Sequence, residues 1–161
     1  MTQAPLMDRI HITEDYDVPR VINGGWQLSA GHALERPLDL ADATRAFNRL
    51  IDMGFDTFDC ADIYTGVEDF FGGIIRERRK AGLRLPQIHT KFVPDLNDLA
   101  NVTPAYVENI ITRSLRRLGV ERLDAVQFHW WDYSVPGMVD VAGELMRLQE
   151  KGLIRLISTT N

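Results

Sequence analysis

The chain has 161 residues, of which 45% are hydrophobic and 25% are charged, and its formal net charge is −5 at pH 7. This length suits one domain whose folding buries roughly 70% of the surface of the extended chain. The charges are dispersed without a basic block, which argues against nucleic acid or an anionic membrane surface as a partner. The single cysteine, Cys60, excludes an internal disulfide and a cysteine-based zinc site. We therefore expect a reducing, cytoplasmic setting and no bound metal.

The first 19 residues differ in composition from the rest of the chain. Acidic residues stand among the apolar ones, a pattern that does not match a secretory signal. The segment predicts a short hairpin or a mobile arm, and the sequence leaves both open. No apolar run approaches the ~20 residues that a membrane span requires, so we expect no membrane partner. Residues 20–161 show no linker and predict one domain.

The first predicted strand–helix units follow this segment. The stretch "RVINGGWQLS" predicts a strand interrupted by two glycines, and "LADATRAFNRLIDMG" predicts a helix that stops at Gly54. The stretch "FDTFDCA" predicts the second strand. The second helix is expected in "EDFFGGIIRERRKAG", whose last turn is basic as the helix dipole prefers.

The remaining units continue the same alternation. The third strand is predicted in "PQIHTKFV", and Thr103 is expected to cap a third helix with Pro104 at its first position and Gly119 at its end. "LDAVQFH", "MVDVAGELMRLQEKG" and "LIRLISTTN" predict the fourth strand, the fourth helix and the fifth strand. Alternation of this kind predicts right-handed crossovers and a parallel sheet, either doubly wound or closed into a barrel.

Polar residues collect where these predicted strands end. Gly25 and Trp26 end the first strand, while the other strands end at Asp59, Lys91, His129, Thr160 and Asn161. In a parallel α/β fold this edge is where binding and catalytic sites are built. Each residue also has a purely structural explanation: Asp59 as a capping aspartate, Lys91 as a solvated strand end, His129 as a hydrogen-bonded core histidine. The common edge favours a site.

The fourth strand leads into an aromatic cluster. His129 is followed by Trp130 and Trp131, a sequence that suits an apolar pocket with a polar group at its floor. Burial of the tryptophans in a core or an interface is the alternative. Together with Trp26, these side chains predict an apolar or aromatic-compatible substrate pocket.

These segments resemble the aldo-keto reductase family. "FDTFDCADIYTGVEDFFG" is similar to the family signature in which a tyrosine follows an aspartate by five residues. "IHTKFVP" and "LDAVQFHW" resemble the strands that carry the family's lysine and histidine, and "EKGLIRLISTTN" resembles its "GKIR-x-IGVSN" stretch. The likeness spans roughly residues 20–161. It implies a (β/α)8 TIM-barrel-type fold, truncated here after about five strand–helix units.

The resemblance also implies a chemistry and assigns it to residues. Reduced NADP(H), or NAD(H), would pass a hydride to an aldehyde or ketone carbon while Tyr64 protonates the oxygen. Lys91 would lower the pKa of Tyr64, Asp59 would balance Lys91, and His129 would hydrogen-bond the carbonyl oxygen. Residues assigned to the cofactor are Gly25, Trp26, Asp59, Thr160 and Asn161. Residues assigned to the substrate are Trp26, Trp130 and Trp131.

The sequence departs from the family pattern in three ways. Ser158, Thr159 and Thr160 stand where glycine, valine and serine are usual, and Thr65 intervenes between Tyr64 and the glycine that commonly follows. A complete barrel needs about 250 residues, more than this chain has. A partner chain or self-association that closes the barrel is therefore one expectation. A non-catalytic binding or regulatory protein, or an inactive fragment, is the alternative to an enzyme.

Overall fold

The described chain begins with an antiparallel hairpin. The structure is a computed structural model that describes residues 7–30 and 39–160. Strand β1, Arg9–Thr13, pairs with β2, Tyr16–Pro19. Of the two alternatives for this segment, residues 9–19 thus form a hairpin.

A five-stranded parallel sheet follows the hairpin and carries the site. Its strands are β3 Asn23–Gly24, β4 Thr57–Asp59, β5 Gln87–Phe92, β6 Leu123–Phe128 and β7 Ile154–Thr159. They lie side by side in chain order, and each is parallel to its neighbours. A doubly wound sheet reverses its strand order at a switch point. Because this order never reverses, the sheet is of the barrel type and forms an unclosed part of an α/β barrel.

The strands are separated by helices near the predicted positions. These are α1 Leu40–Asp52, α2 Val67–Lys80, α3 Pro104–Leu118 and α4 Met138–Glu150. Thr103 caps α3 as predicted, because its hydroxyl oxygen accepts a hydrogen bond from the Tyr106 N–H at 3.2 Å. Gly119 ends α3 with a φ of +66°, a left-handed conformation that glycine adopts without a Cβ penalty.

The core lies between the sheet and the helices. Strand β5 shows the alternation most clearly, since Ile88, Thr90 and Phe92 are buried while Gln87, His89 and Lys91 are half-buried on the other face. The buried face packs against rings and branched side chains of the helices, including Phe71, Val107 and Leu145. The polar face of β5 is therefore the one that points into the open barrel.

The first strand is shorter than the sequence predicts. Only Asn23–Gly24 pairs with β4, and Trp26–Leu28 forms a 3₁₀ turn instead of continuing the strand. The Gly25 N–H donates to the Asp59 carbonyl oxygen at 2.8 Å, which draws the chain against the end of β4. Two adjacent glycines have little preference for an extended strand, so the chain turns there.

The hairpin docks on the polar face of the sheet. The buried Tyr16 hydroxyl lies 3.0 Å from Nε2 of His89 on β5, and the Arg155 guanidinium lies 4.6 Å from the centre of the Tyr16 ring. Arg9 donates to the buried Asp56 carboxylate at 2.8 Å. These contacts join the hairpin to three separate parts of the chain, so it is an integral part of this half-barrel.

Within residues 7–30 and 39–160, none of the helices is both long and apolar enough to cross a membrane.

The packing of α2 against α3 predicts that alanine substitutions at two neighbouring glycines have opposite effects on stability. A Cβ at Gly72 on α2 would overlap the Arg117 carbonyl oxygen of α3, whereas a Cβ at Gly73 would meet only the flexible Arg76 side chain, at 3.8 Å. We expect Gly72→Ala to destabilise the fold by about 1–3 kcal/mol or more. Gly73→Ala should stabilise it by about 0.5–1 kcal/mol, because alanine loses less backbone entropy in a helix. Urea unfolding of both variants checks this, and equal midpoints would contradict the packing.

Candidate active site

An ion pair between neighbouring strands forms the centre of the site. Lys91, near the end of β5, places its Nζ 2.5 Å from Oδ1 of Asp59 at the end of β4 and 2.8 Å from the Cys60 carbonyl oxygen. The Gln127 amide of β6 donates to the same Asp59 oxygen at 2.7 Å. Parallel strands end at a common edge, so three adjacent strands each supply one member of this cluster.

Tyr64 lies beside this cluster, on the loop between β4 and α2. The Lys91 Nζ is 5.2 Å from the centre of the Tyr64 ring. The loop turns tightly, because the Tyr64 N–H donates to the Ala61 carbonyl at 3.1 Å and the Val67 N–H donates to the Tyr64 carbonyl at 3.0 Å. This turn brings the phenol back over the strand end.

Three of the four predicted catalytic side chains share one cavity. The cavity has a volume of about 220 Å³ and opens at the carboxyl edge of the sheet. Its lining residues are Ala61, Ile63, Tyr64, Lys91, Val93, His129, Trp131 and Thr160. Asp59 does not line the cavity and acts on it through Lys91.

The expected lowering of the Tyr64 pKa is wrong in this structure. Burial raises the pKa of the Tyr64 phenol above its ordinary value, and the negative charge of Asp59 raises it further. The Lys91 ammonium is hydrogen-bonded to Asp59 and to the Cys60 carbonyl. These acceptors offset most of the electrostatic effect of its positive charge on the phenol. Tyr64 is therefore held as the neutral, proton-bearing phenol at neutral pH.

His129 presents an unsatisfied nitrogen. Its Nε2 is buried and has no hydrogen-bond partner in the described part of the chain, and the ring lies edge-on to Trp131 with centroids 4.4 Å apart. Burial lowers the pKa of His129, and the Lys91 charge lowers it further, so the imidazole is neutral at pH 7. Buried polar atoms are nearly always paired, which marks this nitrogen as one that a ligand would satisfy.

The two adjacent tryptophans have different environments. Trp131 is 44% exposed, lines the cavity and donates its Nε1–H to the Pro94 carbonyl at 2.7 Å. Trp130 is 2% exposed, packs on Phe128 and donates to the Val135 carbonyl at 3.2 Å. The assignment of Trp130 to the substrate is therefore wrong. Successive side chains of an extended segment point to opposite sides, which sends one ring to the core and one to the site.

Only some of the residues that were assigned to the cofactor lie at the cavity. Thr160 lines the cavity, and its N–H donates to the Phe128 carbonyl at 3.1 Å. Trp26 is 45% exposed in the 3₁₀ turn. A Cβ at Gly25 would lie 2.9 Å from the Asp59 carbonyl oxygen, so this glycine is required by packing within the chain. Asn161 lies outside the described residues, and the cofactor roles of all these residues stay predictions.

A charged network with buried carboxylates joins the loop after β4 and α2 to α3. Arg113 donates to the Asp62 carboxylate at 3.0 Å, and Arg117 donates to Glu68 at 3.1 Å. Glu68 also accepts a hydrogen bond from the Thr90 hydroxyl at 2.7 Å. Glu68 and Asp69 would be expected to serve only the dipole of α2, yet Glu68 is 1% exposed and joins α2 to α3 and β5.

Two polar residues of the site were not predicted from the sequence. Gln127 stands two positions before His129, so strand alternation alone could have placed it on the same face. Asp62 stands within the Asp59–Tyr64 motif, but nothing in the motif distinguishes a structural carboxylate from a loop residue. Among the described residues, no three histidine, cysteine or carboxylate side chains are grouped so that they could hold a metal ion.

A family model described as the aldo/keto reductase family matches residues 20–161, which include every strand of the parallel sheet and the whole site. The chain belongs to the aldo/keto reductase family. This family is one of oxidoreductases that generally bind nicotinamide cofactors. The predicted family is confirmed.

Individual aldo-keto reductases are similar over nearly all of this chain. A protein named "Probable aldo-keto reductase 1" from Glycine max is 29% identical over 98% of this chain and 45% of its own length. An "Aldo-keto reductase" from Mycolicibacterium vanbaalenii is 27% identical over 100% of this chain and 52% of its own length. The chain thus spans about half the length of the curated relatives it matches.

Solved aldo-keto reductase structures share the fold. The holo form of AKR11C1 from Bacillus halodurans superposes with a TM-score of 0.72 at 23% identity, covering 95% of this chain and 50% of that protein. AKR2E5 of the silkworm Bombyx mori gives a TM-score of 0.74 at 22% identity, covering 95% and 48%. The predicted barrel-type α/β fold is confirmed by these matches.

The charge of Asp59 predicts how the Tyr64 phenol titrates. Asp59→Asn removes a carboxylate that raises the Tyr64 pKa and releases the Lys91 ammonium from its partner. Both effects favour the phenolate, so we expect the Tyr64 pKa to fall. Nuclear magnetic resonance titration of ¹³Cζ-labelled tyrosine measures it, with Tyr64→Phe to assign the signal. Asp140→Asn, at an exposed position of α4, is the control and should leave the pKa unchanged.

Proposed function

We propose that this chain carries the catalytic residues of an NAD(P)H-dependent reductase of aldehyde or ketone carbonyls, with Tyr64 as the proton donor. The observation that carries the proposal is the cavity at which Tyr64, Lys91 and the unpartnered Nε2 of His129 meet. Family membership supports an oxidoreductase, and the neutral phenol supports acid catalysis. A cytoplasmic location belongs to the same proposal.

Each side chain has a role that its surroundings support. His129, neutral and with no partner for Nε2 among the described residues, donates a hydrogen bond to the carbonyl oxygen and orients it. Tyr64 gives its proton to that oxygen as the C=O π bond breaks, so that an O–H bond and a C–H bond form. Lys91 lies near enough to the ring to stabilise the phenolate that remains. A reduced nicotinamide, when bound, supplies the hydride that reaches the carbon.

The residues of the cavity fit such a group in their chemistry. Thr160 lines the cavity with a hydroxyl-bearing side chain that suits a carboxamide, and the half-exposed Trp131 ring offers apolar surface. Gly25, Trp26, Asp59, Thr160 and Asn161 remain the proposed cofactor contacts. NADP(H) is proposed as the cofactor, with NAD(H) as the alternative, and Trp26 and Trp131 as the substrate contacts.

Two other proposals predict different behaviour of the same chain. A non-catalytic binding or regulatory protein would hold the nucleotide without oxidising it, and an inactive fragment would do neither. A partner chain, or a second copy that closes the barrel, would let the open sheet work as a complete one. The ring of polar groups around the cavity favours the enzyme over both.

The deciding experiment is a calorimetric titration of the purified 161-residue chain with NADPH and NADH, at a measured oligomeric state, followed by turnover with a panel of aldehydes and ketones. Binding with turnover supports the proposal. Binding without turnover of any carbonyl supports the regulatory alternative, and absence of both supports the inactive fragment.

Removal of one hydroxyl tests the proton donor. Tyr64→Phe should reduce carbonyl turnover by at least about 10²-fold, the contribution expected of a positioned general acid. Nucleotide affinity should change little, because only the proton donor is lost. Tyr133→Phe, which removes the hydroxyl of a 65% exposed tyrosine outside the cavity, is the matched control. Equal loss of turnover and nucleotide affinity in Tyr64→Phe would make this residue structural.

The direction of the Tyr64 pKa shift predicts the pH profile. A raised pKa keeps the phenol protonated to higher pH, so turnover in the reducing direction should be constant through neutrality. It should fall only as the pH rises above about 10, the ordinary pKa of tyrosine. Stopped-flow measurement of single turnovers between pH 6 and pH 11 checks this, and a decline centred near neutrality would exclude Tyr64 as the acid.

A further inference from the structure

Both the side chain and the backbone of Asp62 form hydrogen bonds to neighbouring segments. Its side chain is fully buried, and its carboxylate accepts hydrogen bonds from the Val93 N–H at 3.1 Å and from Arg113 at 3.0 Å. Its own N–H donates to the Lys91 carbonyl at 3.4 Å, and its carbonyl accepts from Arg117 at 2.9 Å. A single residue of the loop after β4 is thus joined to the segment after β5 and to α3.

The Asp62–Val93 hydrogen bond joins two segments, each of which also carries a proposed catalytic residue. Asp62 stands two residues before Tyr64, and Val93 stands two residues after Lys91. The backbone hydrogen bonds of Tyr64 itself, to Ala61 and Val67, are local to its own turn. The turn is therefore held against β5 through Asp62 and, nearer to β4, through Cys60, whose carbonyl accepts from Lys91.

We propose that Asp62 is a positioning residue, whose carboxylate clamps the Tyr64 loop to the segment after Lys91 and so sets the phenol over the cavity. The inference rests on the proposed function only for its kinetic consequence, since the clamp itself is a property of the fold. Asp62 does not reach the reacting atoms and acts through Tyr64.

The physical cost of losing the carboxylate points to movement of the loop. Without Asp62, the buried Val93 N–H loses its acceptor and the partly exposed Arg113 guanidinium loses an ionic partner, and an unsatisfied buried donor is costly. A shift of the loop would bring the Val93 N–H to another acceptor, and such a shift would expose Tyr64. Because burial is the main cause of the raised Tyr64 pKa, exposure should lower it.

In this experiment the Tyr64 pKa serves as a measure of where the phenol lies. The Tyr64 pKa is raised by burial and by the charge of Asp59, and Asp62 is not among the groups that raise it. A change in the Tyr64 pKa on substitution of Asp62 would therefore reflect movement of the phenol. A general loss of stability without such movement would leave the pKa of the folded protein unaltered.

The test uses Asp62→Ala, Asp62→Asn and the control Asp69→Ala. The asparagine amide keeps an acceptor for the Val93 N–H but loses the charge that faces Arg113. Asp69 lies 4.0 Å from the same Arg117 that holds Asp62, and its side chain is exposed on α2. The readout is ¹³Cζ-tyrosine titration of Tyr64 in the folded chain, with urea unfolding in parallel.

We expect the Tyr64 pKa to fall towards about 10 in Asp62→Ala, to fall less in Asp62→Asn, and to be unchanged in Asp69→Ala. An unchanged Tyr64 pKa in the folded Asp62 variants overturns the proposal, whatever their stability. If Asp62→Ala fails to fold, Asp62→Asn decides alone, and an unchanged pKa in that variant is the contrary result.

The titration needs neither cofactor nor carbonyl substrate, so it tests the role of Asp62 in positioning Tyr64 even if the wild-type chain proves inactive. Where the wild type does turn over, Asp62→Asn should lower kcat on the order of 10²-fold, the effect of displacing a catalytic group by about 1 Å. Nucleotide affinity should be retained. Loss of nucleotide affinity with kcat unchanged would assign Asp62 to the cofactor site instead.

Discussion

The ion pair between Lys91 and Asp59 is the interaction on which the rest of the site depends. A lysine ammonium in a half-buried strand end needs a counter-charge and hydrogen-bond acceptors, and Asp59 and the Cys60 carbonyl supply them. The same site sets the state of Tyr64, because burial and the Asp59 charge raise its pKa and the paired Lys91 ammonium does not outweigh them. The phenol stays protonated, as a proton donor requires.

Neighbouring elements hold this pair in place by close packing. Gly25 lets the end of β3 approach the Asp59 carbonyl, and Gly72 lets α2 approach the Arg117 carbonyl of α3. Arg117 in turn binds the loop that carries Tyr64, through the Asp62 carbonyl. One arginine thus links the packing of the helices to the loop that lines the cavity, so a change in the packing of α2 on α3 would shift that loop.

The sequence predicted much of this arrangement because its signals are local. Helical spacing, the Thr103 cap and the Gly119 stop located α3, and apolar runs located β5 and β6. The polar residues at the strand ends came together because parallel strands end at one edge. The short first strand was mispredicted, since a glycine pair leaves the backbone free and the contact with Asp59 decides where the chain turns.

By itself, the sequence determined an alternating α/β fold with a parallel sheet, because periodicity is a property of the chain. Its resemblance to the aldo-keto reductases added the family, the barrel type and the candidates Asp59, Tyr64, Lys91 and His129. Only the tertiary structure decided the rest. Of two adjacent tryptophans, Trp130 is buried and Trp131 lines the cavity, and Glu68 is part of a buried network. Burial and the direction of a pKa shift depend on what surrounds a group, and those surroundings come from residues distant along the chain.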